Sequence, residues 1–195
     1  MVTPSSAADD ASGPSPGWVD SLGGPLIVVP VSALASWGGG TESSLLTGDA
    51  TAPDDYDRAC AVDDVAGVIP VGANGAQALV LADEPATTCY RPQHRAFLRW
   101  FAAESEAGLT AAADTALADP ATVWDECGTW VSDGPAVLMD SAWAGSELGI
   151  EYPDVGKLTG APVSLPAGRW RVRAAQAQVD GENCVGLVQL LPADS

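Results

Sequence analysis

The chain contains an internal echo, in which the segment that begins at Trp18 is repeated in outline by the segment that begins at Trp130. Each segment runs from Trp-Val through a turn and Gly-Pro into an apolar stretch typical of a strand buried on both faces. A repeat of this kind predicts two related β-rich units. Gly-Pro before an apolar strand is also common turn chemistry, so a chance likeness is the alternative.

Short apolar stretches separated by turn residues favour strands in both units. Asn74-Gly75 predicts a hairpin, because both residues tolerate positive φ. Short helical pieces are expected at 31–37 and 141–148, and a loop at 153–166. The predicted strands are 26–29, 59–62, 67–71, 77–81, 136–139, 169–173 and 185–190.

The segment between the two units has the spacing of a helix. Pro92 fits a first helical turn, and residues 102–118 are rich in alanine. A further turn of helix is expected at 120–127. The predicted helix from Pro92 would have one apolar side and one basic side, formed by Phe97, Leu98, Trp100 and Phe101 and by Arg91, Arg95 and Arg99.

These elements predict an α+β fold, mostly antiparallel sheet from two related β-rich halves with a helical segment between them. A length of 195 residues with 47% hydrophobic content suits one domain. Residues 1–17 are rich in Pro, Ser and Ala and predict a disordered tail. The single domain at 18–195 would contain a first β-rich unit at 18–90, a helical segment at 91–128 and a second β-rich unit at 129–192.

The charge of the chain is strongly negative, with 26 acidic residues against 8 basic ones and a net charge of -18. Such a chain repels nucleic acid and anionic lipid, so neither is expected as a partner. A basic protein is the complementary partner, although a generally acidic proteome would also explain the charge. The N-terminus lacks the pattern of a secretory signal, and no apolar run spans a bilayer, which predicts a cytoplasmic protein.

The sequence offers little for catalysis. His94 is the only histidine, which excludes a two-histidine metal site within one chain. Cys89 and His94 could form a nucleophile pair, but no third residue stands at a recognisable position to orient them. Phosphate-binding, dinucleotide-binding and serine-hydrolase motifs are absent. We therefore predict no enzyme activity, no catalytic residues, no metal and no cofactor.

An acidic stretch provides the candidate partner-binding residues. It lacks the central Gly and terminal Glu of a calcium loop. A solvated acidic loop is one interpretation, and a surface for a basic partner is the other. The candidate residues are Asp54, Asp55, Asp57, Asp63 and Asp64.

Arginines and tryptophans leave further alternatives open. Six of the 8 basic residues lie in two runs, which could pair with the chain's own carboxylates or together form an anion site. Trp37 and Trp143 could be core residues or could lie exposed in an interface. The two runs are Arg91, Arg95 and Arg99, and Arg169, Arg171 and Arg173.

Several motifs, taken in order, resemble a known family. They are Trp18-Val-x-Ser-x-Gly-Gly-Pro-Leu-Ile, Asp55-Tyr-Asp-Arg-Ala-Cys60, Gly67-Val-Ile-Pro-Val-Gly72, Ala78-Leu-Val-Leu-Ala-Asp-Glu-Pro85-Ala-Thr-Thr and Leu98-Arg-Trp100. Over about 18–192 the chain resembles the predicted immunity protein family numbered twenty-one, of bacterial polymorphic-toxin systems. The long polar tail and the insertion at 41–55 look like departures from the compact family pattern.

This resemblance implies an α+β protein that binds and neutralises a cognate toxin domain encoded beside it, without catalytic residues. If the toxin is a basic nuclease, the acidic face could mimic its substrate and steer association. Two other classes of function stay open: a small cytoplasmic hydrolase or transferase that uses Cys89, His94 or the acidic loop, and a structural subunit of a phage-like or secretion apparatus.

Overall fold

A computed structural model describes residues 17–41, 53–153, 156–179, 181 and 183–193. The predicted disordered tail and most of the polar insertion at 41–55 lie outside the described residues. Two α-helices are described, α1 (Asp55–Cys60) and α2 (Glu106–Ala118), with short 3₁₀ turns at Val31–Ser36 and Gly145–Glu147. The described strands are β1 (Trp18–Val19), β2 (Leu26–Pro30), β3 (Ala66–Val71), β4 (Ala76–Leu81), β5 (Thr88–Arg91), β6 (Ala96–Ala102), β7 (Asp125–Ser132), β8 (Ala136–Asp140), β9 (Glu151–Tyr152), β10 (Gly156–Lys157), β11 (Ala161–Val163), β12 (Gly168–Gln178) and β13 (Cys184–Pro192).

Two antiparallel sheets pack face to face. Sheet A has the strand order β1-β5-β6-β13-β12-β7, and sheet B has the order β11-β8-β2-β4-β3. Strands β9 and β10 form a separate two-stranded ribbon. The core between the sheets joins Phe97, Trp130 and Val188 of sheet A to Val28 and Leu138 of sheet B.

The outer faces of both sheets are also covered. Helix α2 packs on sheet A over Cys89, Leu98 and Leu187. On sheet B, Trp37, which directly follows the first 3₁₀ turn, and Ala59 from α1 pack over an apolar cluster that includes Ile27, Val29, Val80 and Met139. Burial on both faces explains why every residue of β2 is apolar and buried.

The prediction of mostly antiparallel sheet is confirmed. The 67–71 and 77–81 strands are confirmed as β3 and β4, joined by the predicted hairpin. The strands at 26–29, 136–139, 169–173 and 185–190 are also confirmed, as are short helical turns at 31–36 and within 141–148.

The predicted helix from Pro92 is wrong over its first part. Residues 92–95 form the turn between β5 and β6, and only Glu106–Ala118 of the predicted helical segment 91–128 is α-helical. Arg95 has a φ of 46° in this turn, a left-handed conformation that does not continue a right-handed helix. The aromatic residues of β6 favour a strand, and the four-residue spacing of Arg91, Arg95 and Arg99 does not mark a helix here.

Three other expectations are corrected. Residues 59–62 were expected to be a strand, but Ala59 and Cys60 end helix α1, whose start is capped by Asp54. The helical turn expected at 120–127 overlaps the start of β7, and the loop expected at 153–166 contains β10 and β11. Strand β7 pairs with β12 and β11 pairs with β8, so contacts with segments distant in sequence decide the conformation of these two, whereas β10 pairs with the nearby β9.

The echoed strands are neighbours. Strands β2 and β8 pair antiparallel at the centre of sheet B, with Val28 opposite Leu138. Sheet A is symmetric in its strand order. Counted inward from one edge its strands are β1, β5 and β6, and counted inward from the other edge they are β7, β12 and β13. Four strands of sheet B have the same symmetry: β2 and β8 lie side by side, and β4 next to β2 corresponds to β11 next to β8.

Candidate functional site

The first three candidate carboxylates hold helix α1 in place. Asp54 is its N-cap, and Oδ1 of Asp54 accepts a hydrogen bond from the N–H of Asp57 at 2.8 Å. Oδ2 of Asp57 accepts in return from the N–H of Asp54 at 3.1 Å, which completes a capping box. Asp54 also accepts from the N–H of Thr41 at 2.7 Å and so ties the helix to the end of the preceding described segment.

Asp55 has a similar structural role. Its Oδ2 accepts a hydrogen bond from the N–H of Gly38 at 2.7 Å, and its Oδ1 forms an ion pair with Arg58. The Arg58 guanidinium also donates to the main-chain carbonyl of Pro70 in β3 at 2.8 Å. Asp55 therefore helps to fasten α1 against sheet B.

The other two candidates face solvent. Asp63 and Asp64 lie exposed in the turn between α1 and β3. Oδ1 of Asp64 accepts from the N–H of the next residue, Val65, at 2.8 Å. The acidic stretch thus divides into three half-buried carboxylates that support local structure and two exposed carboxylates.

The three arginines of the first run, Arg91, Arg95 and Arg99, lie in different surroundings. Arg91 donates to Oγ1 of Thr110 in α2 at 3.2 Å, and the Arg95 guanidinium lies 5.6 Å from the ring centroid of Trp170. Arg99 is 2% exposed and donates to the main-chain carbonyl of Glu84. The first run therefore does not present one shared basic face.

The second run keeps the predicted alternation. Trp170 and Val172 point into the core, whereas Arg169 and Arg171 are exposed. Arg171 pairs with Glu126 at 3.3 Å between Nε and Oε2. The Arg173 guanidinium lies 4.0 Å from the Trp124 ring centroid and donates from Nη2 to Oε1 of Gln189 at 2.6 Å.

The burial of Arg99 is what sequence reasoning missed. A helical interpretation placed Arg99 on a basic outer side, but in β6 it points inward at the end of the sandwich. The signal was its position within the run Phe97-Leu-Arg-Trp-Phe101, where apolar residues flank it on both sides. In a strand with both faces covered, a charged residue in such a run is buried.

Cys89 and His94 lie in different environments. Cys89 is fully buried between sheet A and α2, and this burial raises the pKa of its thiol to about 12. His94 lies in the β5–β6 turn, where its Nε2 is 3.3 Å from Oδ1 of Asp114 in α2. A thiol with a raised pKa is a poor nucleophile, so the structure gives no support to a Cys89 nucleophile.

The two tryptophans considered for an interface also differ. Trp37 is 1% exposed, and its indole N–H donates to the main-chain carbonyl of Ser141 at 3.1 Å. The interface interpretation is therefore wrong for Trp37, which is a core residue. Trp143 is half-buried and stacks on Tyr152 with their ring centroids 6.1 Å apart.

The fold and these side chains define a small acidic β-sandwich protein with α2 against the outer face of sheet A and α1 against the outer face of sheet B. Among the described residues, no group of His, Cys, Asp and Glu side chains is arranged to hold a metal ion. Within the same residues, no helix combines the length and apolarity needed to cross a bilayer.

The chain belongs to the Immunity protein 21 family, whose model matches residues 17–183. This family assignment implies an immunity protein with a cognate toxin as partner, and it suggests a non-enzymatic role. Searches of curated proteins and of solved structures find no significant match.

Proposed function

We propose that this protein binds a cognate bacterial toxin stoichiometrically in the cytoplasm and neutralises it without catalysis. The family match over 17–183 carries the proposal. The buried Cys89 thiol, with its raised pKa, is consistent with a role in binding and not in thiol catalysis. A net charge of -18 suits a basic partner, such as a nuclease of a polymorphic-toxin system.

The decisive experiment uses the toxin-domain reading frame beside this gene. Co-expression should rescue cells from that toxin, and the two purified proteins should form a 1:1 complex by calorimetry, with the toxin inactive in the complex. Toxicity unchanged by co-expression, together with no measurable binding, would remove the proposal. Recovery of the protein in the soluble cytoplasmic fraction of the producing cell tests its location.

We propose the acidic stretch as the surface that steers the toxin. Asp63 and Asp64 are its exposed members, and Asp54, Asp55 and Asp57 add negative charge from the adjoining helix. Complementary charges raise association rates through long-range attraction, and salt screens this effect. Neutralising all five carboxylates should slow association and flatten its salt dependence.

A smaller substitution separates steering from local structure. Asp63→Asn with Asp64→Asn removes two exposed charges while the α1 capping box stays intact. The matched control is Glu104→Gln with Glu151→Gln, which removes two exposed carboxylates elsewhere on the protein. We expect the first pair to slow association several-fold more than the control pair at low salt. Equal association rates in the two double variants would contradict a steering surface at this site.

We also infer that the two β-rich halves are related to each other. Strands β1, β2, β4, β5 and β6 correspond in chain order to β7, β8, β11, β12 and β13, while β3 is left without a counterpart in sheet B. The echoed strands β2 and β8 pair with each other in sheet B. Two copies of one unit that pair through equivalent strands would produce this order. If the scaffold is duplicated, the two halves differ in the parts that are not repeated, such as α1 and α2.

A further inference from the structure

A groove lies at the hairpin end of β3 and β4, between three segments that are distant in sequence. Its walls are the β3–β4 turn at 72–75, the first 3₁₀ turn (Val31–Ser36), and the end of β7 with the turn that follows it. The groove has a volume of about 370 Å³, at the small end of the roughly 300–1,000 Å³ that is typical of ligand sites. No residue of the acidic stretch 54–64 is among the described residues that line it, so the two surfaces are separate.

Hydrogen bonds hold the walls together before any partner binds. The main-chain carbonyl of Gln77 accepts from the Trp130 indole at 3.0 Å, and Oε1 of Gln77 accepts from the N–H of Val131 at 2.9 Å, which ties the hairpin to β7. The N–H of Val31 donates to the main-chain carbonyl of Pro135 at 2.9 Å, which ties the 3₁₀ turn to the turn after β7. A preformed groove of this kind loses little conformational entropy on binding.

The contact between the hairpin and the 3₁₀ turn depends on a glycine. Gly72 has a φ of 59°, and a Cβ atom at this position would lie 3.0 Å from Cβ of Ser36. A larger residue at position 72 would strain the backbone and push the two walls apart. The sequence of the turn therefore sets the width of the groove at this end.

The lining combines apolar and polar side chains. Val131 at its edge is 44% exposed, and the neighbouring Val31 is 55% exposed, which is unusual for large apolar residues of this protein. The buried lining residues include Pro30, Ala33 and Val71. The exposed lining residues include the polar side chains of Ser32, Ser36, Asn74 and Asp133.

The charge of the groove is negative. Among the described residues that line it, Asp133 is the only charged one. Within the described part of the chain, the Asp133 carboxylate forms no ion pair and no side-chain hydrogen bond, so it can accept from a partner without breaking an internal contact. This carboxylate and the net charge of -18 repel phosphate groups and a second copy of the chain, and they favour a cation.

We propose that this groove receives one arginine side chain of the toxin. The aliphatic stem of an arginine packs on apolar surface while its charged end stays among polar groups, which matches the mixed lining. Its five N–H donors suit separate oxygen acceptors such as those of Asp133, Ser32 and Asn74. An arginine that enters a preformed pocket is a common hot spot of protein interfaces. The inference rests on the proposed function, because the arginine belongs to the toxin.

The direct test is a titration of the isotope-labelled protein with N-acetyl-arginine amide, followed by NMR at the main-chain amide signals of Ser32, Asn74 and Asp133. N-acetyl-citrulline amide, which has nearly the same shape but no charge, is the matched compound. We expect saturable shifts at these signals with the arginine compound and binding several-fold weaker with the citrulline compound. The absence of saturable shifts at the three signals, or equal affinity for the two compounds, would overturn the proposal.

Two pairs of variants locate the binding. Asp133→Asn should reduce the affinity for the arginine compound to that for the citrulline compound, whereas Glu104→Gln, which removes an exposed carboxylate elsewhere, should not change it. Ser32→Trp places a large side chain in the groove and should block binding. Its control is Ala35→Trp, at an exposed position of the same 3₁₀ turn that does not line the groove. If Ser32→Trp does not fold, the first pair still decides, and equal affinities in Asp133→Asn and Glu104→Gln would contradict the site.

Toxin binding by the same variants completes the test. Asp133→Asn and Ser32→Trp should weaken the complex about tenfold or more, mainly through faster dissociation. The steering variants at Asp63 and Asp64 should instead slow association, so the two surfaces have different kinetic signatures. Unchanged toxin affinity in both groove variants would overturn the proposal while leaving the proposed function intact. If the wild-type protein does not bind the toxin, the proposed function fails, and the titration with the arginine compound still decides whether the groove recognises arginine.

Discussion

Trp18 and Trp130 lie in the two outermost strands of sheet A, and their indole rings point to opposite faces of the sheet. Trp130 is fully buried between the sheets, and its indole N–H donates to the main-chain carbonyl of Gln77 at 3.0 Å. Trp18 packs on the outer face, with its ring centroid 5.4 Å from that of Trp100, and its buried Nε1 has no partner among the described residues. The echoed tryptophans thus share a strand position but not an environment.

This difference predicts unequal effects of the same substitution. Trp130→Phe should lower the free energy of unfolding by about 1–3 kcal/mol, because it leaves the Gln77 carbonyl without its indole donor. Pro70, which lies opposite Gln77 in β3, has no N–H to replace that donor. Trp18→Phe removes an unpaired N–H and should cost less than about 1 kcal/mol.

Urea unfolding of the two variants and the wild type, followed by circular dichroism, measures both changes. Each variant is the control for the other, since both exchange one indole for one phenyl ring. Equal losses, or a larger loss in Trp18→Phe, would contradict the assigned hydrogen bond.

The sequence predicts the strands that are apolar and bounded by turns. Strands β2 and β8 could be predicted because continuous apolar runs after Gly-Pro suit burial on both faces, and the β3–β4 hairpin because of Asn74-Gly75. The sequence did not predict β5 and β6, because the spacing of Arg91, Arg95 and Arg99 matches a helical period. Long-range pairing of β6 with β13, which lies about 90 residues later, decides its conformation.

The candidate site was predicted in part. The density of acidic residues at 54–64 is visible in the sequence, but their different roles are not. A capping residue and a free surface carboxylate have the same side chain, and only the N–H groups that approach Asp54 and Asp57 distinguish them.

The capping box at α1 predicts which acidic substitution destabilises the fold. Asp54→Ala removes the acceptor for the Asp57 N–H and should lower the free energy of unfolding by about 0.5–2 kcal/mol. Asp54→Asn removes the same charge but keeps a good N-cap, so it should cost much less. Thermal unfolding of the two variants provides the comparison. A similar loss in both would show that charge at this position, and not capping, stabilises α1.

Asp140 predicts a pH dependence of stability. It is 5% exposed, and burial raises the pKa of its carboxyl group, while hydrogen bonds from the N–H groups of Leu22 and Ala142 oppose the shift. A carboxyl group whose pKa is raised by folding contributes stability below its unfolded pKa, ordinarily 3.8, and this contribution is lost as pH rises through the folded value.

Asp140→Asn isolates this contribution, since the effects of the other carboxylates cancel when the variant is subtracted from the wild type. The stability of the wild type relative to the variant should fall as pH rises from below 3.8 toward neutrality. Urea unfolding of both proteins across that range measures the difference. A difference that is constant, or that increases with pH, would contradict the raised pKa.

The four cysteines predict a labelling pattern that bears on catalysis. Cys60 is exposed and Cys184 is half-buried, whereas Cys89 and Cys127 are buried. Burial raises the pKa of the Cys60, Cys89 and Cys127 thiols, so access is what separates Cys60 from the two buried cysteines. Thiolate character and access together set the rate of alkylation. Iodoacetamide at mildly alkaline pH should therefore modify Cys60 and Cys184 in the native protein and leave Cys89 and Cys127 unmodified.

Peptide mass spectrometry reads each site separately, and labelling in urea, which should modify all four, is the control. Preferential native labelling of Cys89 would instead indicate an accessible, activated thiol and would favour a hydrolase or transferase over a binding protein.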